Sequence, residues 1–402
     1  MIKCLSSVLL TALLTVFLST LVQAQSLSNL SFGTDSTFEV VSWNIEWFPK
    51  NGQTSVNAVG EIIGALDIDV WALQEIDDSS KLKQAIANLN DYKLVYGGSD
   101  SRGLTYVYNT KTISNVKTYQ LFSENKYSSP LPRAPLVLEF TYQDSVIRII
   151  NNHYKCCGNG TWDKTNTSDE ENRRYLGHRL IMDYVDSLWS DENVILVGDL
   201  NDILTDDRNN NIFQNELTNS RQYRFVDLAI EESNNANWSY PSWPSHLDHI
   251  LINGPLLKQY NKPTTEVRCI KVEGELSGGW SEYDRNISDH RPVAYKFDFK
   301  PTIEPNDTLE TQVAALKLDK LKIKIYPNPT SGRVFYDLSA KLKVTHILVK
   351  DILGAVIISE QLFSNGISMQ GFVDLDKTGI YFMQFFHKNS VVHSELIVKG
   401  DN

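Results

Sequence analysis

The chain has 402 residues, 42% hydrophobic and 22% charged, with a formal net charge of −11 and four cysteines. That length exceeds one ordinary domain and predicts two folded units with a linker. The composition excludes a disordered chain, a collagen and a coiled coil. So few cysteines exclude a disulfide scaffold, and the acidic balance excludes a generic basic nucleic-acid coat.

Residues 1–24 read as a secretory signal peptide. Lys3 is the positive start, Leu5–Leu21 carries no charge, and Val22–Gln23–Ala24 forms a small-residue cleavage site. The competing reading is a membrane anchor, for which the apolar run is borderline in length. No second run of that length follows, so an exported protein without stable membrane insertion is expected. Cys4 leaves with the signal. Cys156, Cys157 and Cys269 remain, an odd number. Adjacent cysteines rarely bond each other, because the peptide between them is strained. A bond from Cys269 to either of the pair stays open.

Strands and helices interleave over 34–299. Phe38–Trp43 reads as a strand, Val56–Ala65 as a helix, Ile68–Leu73 as a strand and Leu82–Leu89 as a helix. Leu104–Tyr108, Leu136–Phe140 and Val146–Asn151 read as strands. A long helix follows over Glu170–Trp189, with Ser168 and Glu171 at capping-box spacing. Val194–Val197, Leu247–Ile252 and Val293–Phe299 are further strands. Buried strands with covering helices predict a four-layer α/β sandwich, two packed mixed sheets flanked by helices.

Polar residues gather where these strands end. Asn44 ends the first and Glu75 the second. His153 follows Ile149–Asn152, and Asp199 and Asn201 follow Val194–Gly198. Asp248 opens His249–Ile250, and Asp289 and His290 precede Val293. Loops at strand ends are where scaffolds carry sites. Carboxylates and carboxamides are hard-oxygen ligands for Mg²⁺, Mn²⁺ or Ca²⁺, and histidines manage protons near neutral pH. There is no zinc-finger spacing, no phosphate-binding Gly-x-x-x-x-Gly-Lys loop and no Gly-x-Ser-x-Gly elbow. Metal-assisted attack of water on a phosphoester fits the inventory.

Ser42–Trp43–Asn44–Ile45, Leu73–Gln74–Glu75, Asn152–His153, Gly198–Asp199–Leu200–Asn201, Leu247–Asp248–His249–Ile250 and Ser288–Asp289–His290–Arg291–Pro292 occur in this order. Together they resemble the endonuclease/exonuclease/phosphatase superfamily, the DNase I-like fold. The resemblance implies Glu75 as principal metal ligand with Asn44 beside it, and Asp289 as ligand or partner. It implies His290 as base or phosphate stabiliser, oriented by Asp248. Asp199 would orient or deprotonate the attacking water, so the base stays open between Asp199 and His290. Asn201 would bind a phosphate oxygen, and His153 would bind the phosphate or assist the leaving oxygen. Arg133 matches a phosphate-contacting arginine. Arg102 stands near the place of a glutamate that pairs the first histidine in DNase I, and is expected to contact substrate instead.

His178, His246 and His249 have no such support and read as structural or peripheral. Trp238, Tyr240 and Trp243 read as core packing or as platforms for bases. Arg173 and Arg174 read equally as a solvated helix face or as phosphate contacts.

Residues 300–320, with Pro301 and Pro305, read as a linker. Over 321–402, short strands and turns predict a small all-β sandwich. Gly354 sits at a hairpin. Tyr326–Pro327–Asn328–Pro329, Gly379–Ile380–Tyr381 and the lysine-ended last strand resemble a type IX secretion sorting domain. That resemblance implies the type IX machinery as a partner, and release or surface attachment by way of the periplasm. The plainer alternative is an accessory sugar- or surface-binding sandwich. Nine Lys/Arg against seven Asp/Glu in 321–402, with Lys3 in the signal, leave 25–320 at −14.

The expected function is a secreted Mg²⁺-dependent phosphodiesterase, a non-specific endonuclease on DNA or RNA. A phospholipid or small-molecule phosphoesterase of the same fold is the alternative. An inactive surface-binding protein is the third reading.

Overall fold

The computed structural model describes residues 26–260, 262–299, 323–338, 344–352, 354–362, 369–387 and 390–400. The expected signal peptide, with Cys4, and the expected linker lie outside them.

Twelve strands form the larger unit. They are β1 (Phe38–Phe48), β2 (Val70–Ile76), β3 (Tyr92–Tyr96), β4 (Thr105–Asn109), β5 (Ser114–Gln120), β6 (Leu136–Tyr142), β7 (Ser145–His153), β8 (Asn193–Asp199), β9 (Tyr223–Phe225), β10 (Asp248–Asn253), β11 (Glu266–Cys269) and β12 (Val293–Phe297). Two six-stranded sheets result, in the orders β11-β12-β1-β2-β4-β3 and β5-β6-β7-β8-β10-β9. In each, one central pair is parallel, β1 with β2 and β7 with β8. Each parallel pair needs a crossover helix. These are α1 (Gly52–Leu66) and the long helix Glu170–Leu188, here called α3 because α2 (Ser79–Ala85) precedes it.

Side-chain alternation builds the layers. Val40, Val70 and Ala72 point between the sheets, where Leu138, Ile149, Val197 and Ile250 meet them. Their neighbours Val41, Trp71 and Leu73 point outward and are covered by Val59, Ile62, Ile63 and Leu66 of α1. On the other side, Val137, Ile150 and Leu196 lie under Leu180, Ile181 and Val185 of α3. A period of two on both faces requires apolar cover on both, hence four layers.

The structure corrects three local expectations and decides one open pairing. Strand β1 runs on to Phe48, and α2 ends at Ala85 rather than Leu89. Helix α3 is capped by Asp169, whose side chain accepts the Asn172 N–H, and not by Ser168; Glu171 turns away and accepts from the Gly160 N–H at 2.7 Å. Cys269 is a free thiol in the core between the sheets, so no disulfide joins it to Cys156 or Cys157.

Among the described residues, the smaller unit has seven antiparallel strands in two sheets. Ile323–Tyr326, Arg333–Leu338 and Met369–Asp374 form one; Val356–Gln361, His346–Asp351, Gly379–His387 and Ser390–Lys399 form the other. Val334, Tyr336, Val349, Met383, Phe385 and Ile397 fill the space between them. Gly354, at φ 79°, makes the hairpin turn. Among the described residues, no helix is long and apolar enough to cross a membrane.

Candidate active site

Register brings the polar strand ends to one edge. His153 pairs with Asp199 across β7–β8, and Asp199 with Asp248 across β8–β10. Asn44 pairs with Gln74, next to Glu75, across β1–β2. Strand β12 runs antiparallel to β1, so the Ser288–Pro292 turn before it lies at the same end. Gly198 is required between β7 and β8. Its φ is 149°, and a Cβ there would lie 2.1 Å from the Asn152 carbonyl oxygen.

The side chains then meet. Asn44 Nδ2 donates to Glu75 Oε1 at 3.2 Å and to Asp199 Oδ2 at 3.0 Å, while its side-chain Oδ1 accepts the Glu46 N–H. Glu75 stands at φ 60°, a strained position for a non-glycine residue. Its Oε2 accepts the Trp47 N–H at 3.2 Å. His153 Nε2 faces Glu75 Oε1 at 3.8 Å and Asp199 Oδ2 at 3.6 Å. His290 Nδ1 bonds Asp248 Oδ2 at 2.7 Å, leaving Nε2 toward Asp199 Oδ2 at 3.8 Å and Asp289 Oδ1 at 3.9 Å. The Ser288 hydroxyl ties this turn to β1, donating to the Asn44 carbonyl at 2.6 Å and accepting the His290 N–H. The Tyr240 ring lies 4.8 Å from that of His290.

Burial and charge set the protonation states. Burial pushes Asp199 up to about 6, with Asp248 adding to the rise and His290 opposing it. Burial also works against a charge on His290, but Asp248 and then Asp199 outweigh it and hold the imidazole up at about 10. Burial drives His153 the other way, well below the usual range, with the cations Arg133 and His290 adding. Asp289 is pushed up to about 7 by burial and the Glu46 carboxylate, against the pull of His290.

Arg133, Arg102, Lys155, Glu75, Trp47 and Cys156 line a cleft of ≈ 630 Å³ beside this cluster. Arg133 donates to the Tyr154 carbonyl at 3.2 Å. Asn201, at φ 52°, donates its amide N–H to Asp199 Oδ1 at 3.0 Å, and its side chain lies 3.4 Å from the Tyr154 carbonyl. Arg102 is exposed on the cleft wall. The buried His153 Nδ1 has no hydrogen-bond partner among the described residues.

Sequence reasoning missed Glu46. Its carboxylate accepts the Asp289 N–H at 3.0 Å and pairs with Lys50, which also reaches Asp284 at 3.1 Å. Glu46 lies in the part of β1 beyond the expected strand end, and only the fold brings Asp289 back to it. Also missed was a layer beneath the site. Gln74 Nε2 bonds Asn151 Oδ1 at 2.7 Å, and Asn151 donates to the Leu73 and Thr105 carbonyls, linking the two sheets.

Arg174 is buried on the Asp202 carboxylate at 2.8 Å, and Arg173 donates to the Ser129 carbonyl, so both are scaffold rather than phosphate contacts. His178 is buried between the Tyr154 hydroxyl and Glu216. Asp227, His246 and His249 are close enough to hold a metal ion, yet every ring nitrogen has a partner. His249 bonds Asp227 at 2.6 Å and the Asp202 carbonyl at 2.9 Å; His246 bonds Asp227 at 3.2 Å and accepts the Ser239 N–H. This group braces the Asp202 and Ser239 loops on either side of Asp248.

The edge cluster suits a hard divalent cation. Glu75, Glu46 and Asp289 are oxygen donors, and burial, with the Glu46 carboxylate beside it, makes a charge on Asp289 costly. A cation there relieves it.

Comparison with curated proteins finds no match. Among solved structures, the fold is similar to that of humanized D. rerio TDP2, at 14% identity and TM-score 0.50, covering 66% of this chain and 100% of that one. An endonuclease/exonuclease/phosphatase from Bacteroides vulgatus gives 14% identity and TM-score 0.45, covering 66% and 99%. The human Nocturnin catalytic domain gives 14% identity and TM-score 0.46, covering 67% and 97%. At 14% identity the likeness to TDP2 is one of fold alone. Residues 324–399 match the Secretion system C-terminal sorting domain, the tail of type IX export. A family model covers residues 41–290, the span from β1 to the Asp289–His290 turn, and on that match the chain belongs to the Endonuclease/Exonuclease/phosphatase family, hydrolases of phosphoester bonds.

Proposed function

We propose that the protein is an exported, Mg²⁺-dependent phosphodiesterase that cuts nucleic acid internally. The observation that carries this reading is the convergence of Glu75, Asp199, His153 and the Asp248–His290 pair at one end of the two-sheet sandwich, beside a cleft lined by Arg102, Arg133 and Lys155. Glu75 and Asp289 would hold the cation, with Asn44 beside them; when bound, it offsets charge on the phosphate oxygens. Asp199 is fixed by Asn44 and the Asn201 N–H, and it orients and deprotonates the attacking water. His290 spends Nδ1 on Asp248 and presents Nε2 to a phosphate oxygen. His153, kept neutral, hydrogen-bonds the phosphate or the leaving oxygen. Asn201 and the arginines position the backbone.

The test is nicking of supercoiled plasmid, beside single-stranded DNA, RNA and a small phosphodiester dye. Nicking should require Mg²⁺, stop in chelator and fall steeply with salt, since an enzyme this acidic attracts a polyanion only locally. Dye hydrolysis with intact plasmid would favour the small-phosphoester alternative.

The exposed indole of Trp47, 64% accessible on the cleft wall, is placed to stack on a base. Trp243, 79% accessible, stands in the loop that carries Tyr240. Base–aromatic stacking contributes about 1–3 kcal/mol. Trp47→Ala should therefore raise KM on single-stranded DNA by about fivefold or more, with kcat on the dye unchanged. An equal loss on dye and polymer would place Trp47 in the scaffold.

A further inference from the structure

Cys156 and Cys157 follow His153 where the chain turns away from the cleft. Their sulfurs are 3.0 Å apart, the Cys157 thiol donating to Cys156, and both are free. Cys156 lines the cleft and Cys157 is exposed. The turn is held firmly. Buried Arg174 donates to the carbonyls of Lys155 at 3.0 Å and Cys157 at 2.6 Å. Cys157 stands at φ 71° and Gly158 at φ 120°, where a Cβ would lie 2.3 Å from Glu171 Oε1. Lys155 Nζ reaches the Cys156 carbonyl at 2.8 Å and lies 3.8 Å from the Cys156 sulfur. The sulfur pair, a cation and the cleft wall thus form one unit.

We propose that this dithiol is a redox site, closed to a vicinal disulfide by small-molecule disulfides and thereby lowering turnover in the adjoining cleft. Cys156, faced by a cation and an S–H donor, attacks one sulfur of the oxidant and releases one small thiol. Cys157 then attacks the Cys156 sulfur of the mixed disulfide and releases the second. One S–S bond forms in the protein and one breaks in the oxidant. Two electrons and two protons leave with the two thiols. Neighbouring Cα atoms are about 3.8 Å apart across a trans peptide, short of the roughly 4.4–6.8 Å of relaxed disulfides. Strain makes such a bond easily reduced, which suits a switch rather than a staple. Closing the ring must turn the peptide whose carbonyl anchors Lys155, and so displaces that ammonium from the cleft wall. The effect on turnover rests on the cleft being the phosphodiester site; formation of the disulfide does not.

The full chain is equilibrated with reduced and oxidised glutathione in varied ratio, then read by intact mass, peptide mapping and plasmid nicking. Loss of two hydrogens mapped to Cys156–Cys157, reversed by dithiothreitol, is expected. Nicking should fall on the order of fivefold and return on reduction. Cys157→Ser should keep the reduced activity and lose the response. Thiols that stay reduced under excess oxidised glutathione, or that stop at a glutathione adduct, overturn the redox site. A disulfide that leaves nicking unchanged overturns the control of turnover. If neither state nicks, the mass shift still decides the dithiol, and the cleft reading fails separately.

Discussion

Asp199→Asn should lower kcat on plasmid about a thousandfold while the melting temperature holds or rises. Asp199 is where the site's strands meet: it pairs with both His153 and Asp248 in register, accepts from Asn44 at 3.0 Å, and has His290 at 3.8 Å. Positioned proton transfer contributes roughly 10²–10⁴-fold. The same carboxylate costs the fold, because burial pushes it up to about 6. A carboxyl raised in the folded state loses stability as pH climbs from its unfolded value through the folded one, so at pH 7 the ionised form is carried at a loss. Asparagine keeps the shape and removes the charge. Activity falling with stability intact is the signature of a functional charge. A matching fall in both would make Asp199 a scaffold residue.

Asp227→Asn should do the opposite and unfold the protein early. Asp227 is fully buried between His246 and His249 and also accepts the Ile250 N–H at 2.8 Å. His249 bonds acceptors through both nitrogens, so it carries both protons. Burial opposes that charge, but Asp227 outweighs it and holds His249 up at about 9. Burial would raise Asp227, but the two histidines win and hold it well below the carboxylate range. Removing one member of a buried pair costs about 3–5 kcal/mol. The histidine's contribution is complete below its unfolded pKa near 6.5 and is lost as pH rises through about 9. The aspartate's is present above its unfolded value of 3.8 and is lost as pH falls toward its folded one. Thermal melts of wild type and variant should therefore differ most between these limits and converge above pH 9. A gap that does not narrow at alkaline pH would assign the loss to packing alone.

The layered fold and the strand-end polar residues were readable because the signals are local. An apolar run such as Val194–Val197 stops at Gly198–Asp199, and the stop is visible in the sequence. What escaped depends on distant partners. His249 read only as structural or peripheral, because its acceptors, Asp227 and the Asp202 carbonyl, are 22 and 47 residues away. Glu46 lay past the expected end of the first strand, and nothing in the sequence tells that Asp289 returns to meet it 243 residues later. The cap of α3 moved by one residue because Glu171 found a better partner in Gly160. Arg174 was ambiguous for the same reason: only the fold brings Asp202 to it.

In the proposed mechanism, Glu75 and its neighbours hold the Mg²⁺ that phosphodiester cleavage needs. The direct measurement is the plasmid-nicking rate of wild type and Glu75→Gln across a Mg²⁺ titration, at equal folded protein. Wild type should show saturable Mg²⁺ dependence and no nicking in chelator, and the variant should need far more Mg²⁺ or never recover. Nicking that persists in chelator, or identical Mg²⁺ dependence in the two proteins, would contradict it.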